Sequence, residues 1–529
     1  MNFIQKISKS RPIAVQTALG EGVRNWVKNA SFATPSLEQK VYHGGRNFGA
    51  RPLFSTLPIS LTRIRFRMSS LPASLPHRVH FIAIGGAAMH NLAIVLHQKG
   101  DRVTGSDDEI YEPSRSRLAR HGLLPEAMGW FPEKITADLD AVILGMHARA
   151  DNPELRRAQE LDLRIYSYPE YIYEQSRDKQ RVVIAGSHGK TTTTSLILHV
   201  LRHFNRKFDH LVGARIEGFD NMVKLSDDAP LVVIEGDEYF SSPIDRRPKF
   251  LHYHHHIALI SGIAWDHINV YPEFEAYVDQ FELLAEASPK GGVLIFDETD
   301  DVVSVICKKE RPDVLPVGYG PHPSVIRDGK TYLVTPAGRE IPVHVFGEHN
   351  MKNLNGARAV LERIGIEEEM FYEAVQSFKG AANRQERIGE NAQTVIFRDF
   401  AHAPSKLEAT TEAVKAQFPD RRLVACVELH TFSSLNKYFL DEYGGRFNAA
   451  DVPVVYYSPQ TIAHKKLTPI EPADVVAAFG NPALKVFTDN QELKAFLLKQ
   501  NWQATNLLMM SSGTFNGLNL PELAKEILG

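Results

Sequence analysis

The sequence predicts an α/β protein of three units, each a mostly parallel sheet covered on both faces, and three observations predict it. Short apolar runs of strand length alternate with helix-length stretches from about residue 80 onward. At 529 residues the chain exceeds one ordinary domain and suggests about three. One strand–turn–helix junction carries Gly189-Lys190-Thr191 at its turn, the layout of a phosphate loop.

Composition narrows the class. With 43% apolar and 23% charged residues the chain can fill several cores. No apolar run approaches the roughly 18–20 residues of a bilayer-crossing helix, so no membrane span is expected. The two cysteines, Cys307 and Cys426, make neither a disulfide framework nor a thiolate metal site and suit a reducing, cytoplasmic setting. The net charge of −3 is uneven: residues 1–77 carry eleven basic and two acidic side chains, a net +9, against −12 for the rest. An acidic body does not favour nucleic acid. The leader is Ser/Arg-rich and acid-poor, like an organelle transit peptide, and a start at Met68 is the plainer reading. Either way it stays outside the fold argument.

The first unit, 78–179, opens with a buried strand at 80–84, a small-residue turn (Gly85, Gly86, Ala87, Ala88, Met89), a helix ending at Gly100 and a strand ending in Gly105-Ser106-Asp107. Strands are expected also at 141–144 and 164–166. The turn and Asp107 imitate a dinucleotide fold, yet Gly-Gly-Ala-Ala does not fit G-x-G-x-x-G. The second unit, 180–382, has strands at 181–185, 231–235 and 257–260. The third, 383–529, has strands at 395–398, 423–427, 454–457, 485–487 and 507–510.

The strongest chemical signal is residues 182–193. A strand runs into Gly186-Ser187-His188-Gly189, then Lys190-Thr191-Thr192 opens a helix. Backbone N–H groups of such a turn surround phosphate oxygens, the lysine neutralises the terminal phosphates and the threonine hydroxyl can ligate Mg²⁺. Ile184 stands where the usual pattern has its first glycine. A phosphate loop needs a metal carboxylate on a neighbouring strand end, and Leu231-Val232-Val233-Ile234-Glu235-Gly236-Asp237-Glu238 offers three acids. Asp266-His267 ends another apolar run. His252, His254, His255 and His256 tempt a zinc assignment, but strand alternation would split neighbours between two faces, so none is expected.

Residues 186–193 resemble the G-[ST]-H-G-K-T-T-T loop of the Mur ligases, and the other markers recur in order. Residues 80–93 resemble the family's uridine-nucleotide turn, 235–238 its Glu-Ala-Asp-Glu metal segment and Asp266-His267 its Asp-His pair. Gly347-Glu348-His349-Asn350-Met351-Lys352-Asn353 is similar to its G-x-H-N-x-x-N segment, and 399–404 to its Asp-Tyr-x-His-x-Pro turn. Arg384 sits in a degenerate Arg-Arg pair whose first member is Asn383, which weakens the γ-phosphate clamp. Residues 269–282 contain no lysine, as in the branch that lacks a carbamoylated one.

The resemblance spans about 78–529. It implies a three-domain Mur ligase architecture: a Rossmann-like UDP-binding domain, a central P-loop ATPase-like domain and a Rossmann-like C-terminal domain. It implies ATP and Mg²⁺ as cofactors, with UDP-N-acetylmuramate and a small peptide or amino acid as partners. The implied roles are catalysis by Lys190, Glu235 and His267, and metal ligation by Thr191, Glu235 and His267. ATP would be held by 186–192 with His349, Asn350, Asn353, Arg384 and Asp399, and the UDP-sugar by 85–89, Ser106 and Asp107. A muramate carboxylate would attack ATP to give an acyl phosphate, which an amine then opens. Residues 510–518 are similar to the M-S-N-G-x-F-G-G segment of the branch that attaches the tripeptide L-alanyl-γ-D-glutamyl-meso-diaminopimelate in peptidoglycan recycling. The L-alanine-adding branch of biosynthesis is the alternative. A nucleotide-binding regulator that has lost catalysis is the alternative of another class, resting on Asn383 alone.

Overall fold

Four short strands make the first sheet, and the two central ones are nearly wholly buried, where no polar alternation is needed. The four are β1 (Arg78–Ile82), β2 (Arg102–Ser106), β3 (Ala141–Leu144) and β4 (Ile165–Ser167), all parallel in the order β2-β1-β3-β4. β1 stops two residues short of the expected end. Ala83 takes a left-handed φ of +68° and donates to the Ser106 carbonyl at 2.9 Å, turning the chain toward the helix Ala87–Gln98. The structure, a computed structural model, describes residues 77–214, 216 and 218–529. The basic leader and the start expected at Met68 lie outside them.

The central sheet comprises β5 (Gln180–Ala185), β6 (Asp209–Leu211), β7 (Val223–Lys224), β8 (Leu231–Glu235), β11 (Ile257–Ile260), β12 (Val293–Asp297) and β13 (Leu315–Tyr319). Its order is β13-β12-β11-β5-β8-β6-β7, and only β7 runs antiparallel. Val182 to Ala185 have no exposed surface. Each such valine or isoleucine side chain contributes about 1.5–3 kcal/mol by leaving water. Between β8 and β11 lies a hairpin, β9 (Phe240–Ser242) and β10 (Asp245–Pro248), and beyond β13 an antiparallel sheet of β14 (Ser324–Arg327), β15 (Lys330–Val334) and β16 (Glu340–Val343).

The third sheet orders β17 (Glu386–Glu390), β18 (Val395–Asp399), β19 (Arg422–Leu429), β20 (Val452–Tyr457), β21 (Lys485–Phe487) and β22 (Thr505–Met510) as β17-β18-β22-β19-β20-β21, with only β17 antiparallel. One apolar core runs from Val79 and Phe81 of the first sheet to Val183 and Ile260 of the second. The third sheet has a core on each face. Phe346, from the segment before the helix Glu348–Arg363, joins one of them, edge-on to Phe397 at 5.6 Å.

Candidate active site

β5 lies between β11 and β8, so the loop after β5 faces the ends of both. Gly186 and Gly189 have φ of +126° and +77°. A Cβ on Gly186 would stand 2.3 Å from Ser261 Oγ, and one on Gly189 would stand 2.3 Å from Asn353 Oδ1. Backbone conformation and space both demand glycine there. Gly189 caps the helix Lys190–His203, whose first N–H groups open toward the loop.

Lys190 Nζ donates to Glu238 Oε2 at 2.7 Å and to the Gly186 carbonyl at 2.5 Å. Burial favours the neutral amine, but Glu238 and Asp237 outweigh it and raise its pKa. Thr191 Oγ1 donates to Glu235 Oε1 at 2.8 Å, and Glu235 Oε2 accepts from Gly213 N at 2.8 Å. Thr191 and Glu235, assigned to one metal, therefore meet. An anionic oxygen and a hydroxyl oxygen side by side suit a hard divalent cation such as Mg²⁺.

His267 does not join them. At φ +57° its Nε2 lies 3.4 Å from Glu238 Oε1, and that contact and Asp266 overcome burial to raise its pKa. Glu238, 1% exposed, thus holds Lys190 and His267 together and also accepts from Tyr277 OH at 3.1 Å. Burial would raise its carboxyl; Lys190 and His267 hold it well below the usual range instead. Glu238, named in the sequence only as one of three acids, and Tyr277, not named there at all, join the candidate site. The acidic run 235–238 pointed to the first, and nothing local pointed to the second.

The residues expected on the nucleotide side form a chain of hydrogen bonds. Thr193 Oγ1 donates to Asn353 Oδ1 (3.4 Å), Asn353 Nδ2 to Asn350 Oδ1 (3.3 Å), and Asn350 Nδ2 to Gln385 Oε1 (2.8 Å). Gln385 N then donates to Asp399 Oδ2 at 2.6 Å, which carries the chain into the third sheet. His349 and His188 are half-buried, and loss of solvent around the rings first of all lowers both to about 4. Ser187 accepts from Ala264 N at 2.9 Å, and Thr192 is buried on the helix. Arg384 stacks over Phe400 at 4.4 Å, within the fields of Asp399 and Glu235. Asn383 has φ +55° and Gln385 +45°. Asparagine visits that left-handed region more readily than most residues, a physical reason for Asn where an arginine was expected. From the third unit Lys406 Nζ reaches Asp266 Oδ2 at 3.2 Å, with His402 at 3.9 Å. Lys406 too went unmarked in the sequence.

At the first sheet, Gly85 N donates to Asp107 Oδ2 at 2.7 Å, and burial raises the Asp107 carboxyl to about 6. Gly85, Gly86 and Ala88 are half-buried and Ala87 is exposed, whereas Met89 packs into the core and Ser106 is fully buried. A pocket of about 1150 Å³ runs between the central unit and the third, lined by Phe219, Lys330, Thr331, Lys379 and Gln417. Arg384 is the one site candidate on its wall.

Of the four histidines, His252 meets carboxylates, with Nε2 3.6 Å from Asp245 and Nδ1 3.8 Å from Glu170. Arg247 already neutralises that pair, lying 2.6 Å from Asp245 and 3.9 Å from Glu170, so the cluster ties the first unit to the hairpin.

Two family models match: "Mur ligase family, catalytic domain" over residues 78–180 and "Mur ligase middle domain" over 184–361. The chain is 28% identical over 461 residues to the UDP-N-acetylmuramate–L-alanyl-γ-D-glutamyl-meso-2,6-diaminoheptandioate ligase of Escherichia coli, covering 85% of this chain and 99% of that one. It is 30% identical to the UDP-N-acetylmuramate–L-alanine ligase of Salinibacter ruber, covering 82% and 92%. A murein peptide ligase from Psychrobacter arcticus shares its fold, with TM-score 0.58 and 23% identity over 85% of this chain and 98% of that one.

Proposed function

Because the chain belongs to the Mur ligase family of ATP-dependent C–N-bond-forming ligases, we propose that it joins the carboxylate of UDP-N-acetylmuramate to the amine of L-alanyl-γ-D-glutamyl-meso-diaminopimelate in peptidoglycan recycling. One observation carries the reaction type: Lys190, Thr191, Glu235 and Glu238 converge beside the phosphate loop. Residues 78–179 bind the UDP-sugar, 180–382 bind ATP, and 383–529 close over both.

A carboxylate does not acylate an amine in water, because oxide is too poor a leaving group. In our reading the lactyl carboxylate attacks the γ-phosphorus of ATP and ADP leaves. The amine then adds to the acyl phosphate, loses its proton and expels phosphate. Lys190 releases Glu238 to take the terminal phosphate, and the N–H groups after Gly189 take its oxygens. Thr191 and Glu235 fit a Mg²⁺ ion, which would supply charge neutralisation at the phosphates, and His267 with Glu238 fits a second. His349, Asn350, Asn353, Arg384 and Asp399 position the nucleotide, while 85–89, Ser106 and Asp107 position the uridine end. We place the reaction in the cytoplasm; two buried free cysteines and, among the described residues, no helix long and apolar enough to cross a membrane agree with that.

The tripeptide is preferred over L-alanine for the 510–518 segment. Glu428 pins that turn, accepting from Ser511 Oγ and from Phe515 N at 2.8 Å. Purified protein given ATP, UDP-N-acetylmuramate and either amine should release phosphate faster with the tripeptide. A faster rate with L-alanine would move the assignment to the biosynthetic branch, and silence with both would revive the regulator.

A further inference from the structure

Between the loop after β3 and the acidic turn 235–238 lies a cation that no motif marked. Lys249 directly follows β10, and its Nζ donates to Asp237 Oδ2 at 2.6 Å with the side chain 21% exposed. Asp237 adjoins Glu238, which holds Lys190 at 2.7 Å. Two ammonium groups therefore flank one acidic turn. Arg247, two residues earlier, is bound to Asp245 and is not available in the same way.

Across from Lys249 lies the first sheet. His147, three residues past the end of β3, feels the Lys249 charge, which adds to burial in lowering its pKa. In the order β2-β1-β3-β4, chain direction across the sheet reverses between β1 and β3. Open α/β sheets take ligands outside the carboxyl ends of such a pair. A nucleotide-sugar seated on residues 85–89, outside the carboxyl ends of β1 and β3, would have its sugar on the side from which Lys249 reaches the acidic turn.

We propose that Lys249 binds the carboxylate of the sugar-linked substrate and holds it facing the phosphoryl group gripped by Lys190. The inference rests on the ligase reading above. Two anions must approach within reacting distance, and a cation beside the carboxylate offsets their repulsion. An ammonium has three donors and Asp237 takes one, leaving others for substrate. The Asp237 contact fixes where those donors point before substrate arrives.

The test compares UDP-N-acetylmuramate with UDP-N-acetylglucosamine, which lacks the lactyl carboxylate, by calorimetry on the full chain. Wild type should bind the muramate roughly tenfold to a hundredfold more tightly, as expected for a charged hydrogen bond. Lys249→Met should erase that preference while leaving UDP-N-acetylglucosamine affinity and the KM for ATP within about twofold, and Lys249→Arg should restore much of it. Equal affinity of wild type for both sugars overturns the proposal whatever the variants do. So does a Lys249→Met protein that keeps the preference, and should that variant not fold, Lys249→Gln decides by the same comparison. Wild type that binds both nucleotides but releases no phosphate with either amine defeats the ligase reading instead, so the two failures are distinct.

Discussion

Replacing Lys190 with alanine removes the ammonium proposed to take the terminal phosphate and leaves Glu238 with His267 and Tyr277 alone. Turnover should fall on the order of a hundredfold or more, since preorganised charge at a transferring phosphoryl group is worth that much. The first sheet is untouched, so calorimetry should find UDP binding unchanged; joint loss of both would mean that the units were divided wrongly. The meeting of Thr191 with Glu235 beside Lys190 was legible in the sequence because a glycine loop is local and the acid ends an adjacent apolar run. Glu238 was half-legible. Its grip on Lys190 and His267, 48 and 29 residues away in sequence, follows from β8 lying beside β5, which no spacing rule contains. Tyr277, Lys249 and Lys406 were invisible for the same reason.

At the scale of elements, the phosphate loop depends on two backbone conformations. Gly189→Ala forces a Cβ into a left-handed residue, costing about 1–2 kcal/mol, and drives it toward Asn353 Oδ1 at 2.3 Å. That displaces the chain running from Thr193 through Asn353 and Asn350 to Gln385. Expected outcomes are a melting temperature lower by a few degrees and ATP affinity weakened by about tenfold or more in calorimetry. Unchanged ATP affinity would remove the loop from the site. Strands 141–144, 231–235, 257–260 and 485–487 were legible to the residue, being apolar runs with abrupt ends. The hairpin β9–β10 was not. Its Phe-Ser-Ser and Asp-Arg-Arg-Pro strands carry no hydrophobic alternation and gain their place from Arg247 and His252 meeting the helix Tyr168–Glu174. The antiparallel sheet β14–β16 escaped notice likewise, its strands being only four or five residues long and β14 largely exposed.

Over the whole molecule, Asp266 links the central unit to the third. Burial would raise its carboxyl, but Lys406, His267 and His402 together hold it far below the usual range. A carboxyl depressed by folding contributes stability above its unfolded pKa of about 4, and that stability is lost as pH falls toward the folded value. Wild type should therefore exceed Asp266→Asn by roughly 1–3 kcal/mol near pH 7, with the gap narrowing in melts from pH 5 to pH 3. A gap independent of pH would remove the linkage. Three α/β layers were foreseeable from alternation alone; their mutual docking was not, because it rests on side chains such as Phe346 that belong to one layer by sequence and to another by packing. That ring has a mechanical consequence. If the last third of the chain swings during a catalytic cycle, the fulcrum sits at Phe346, ahead of the covalent joint near Asn383. Asp399, His402 and Lys406 would then travel as one lever arm, so shortening or softening the aromatic seat should blur their arrival at the phosphates even with every polar group intact.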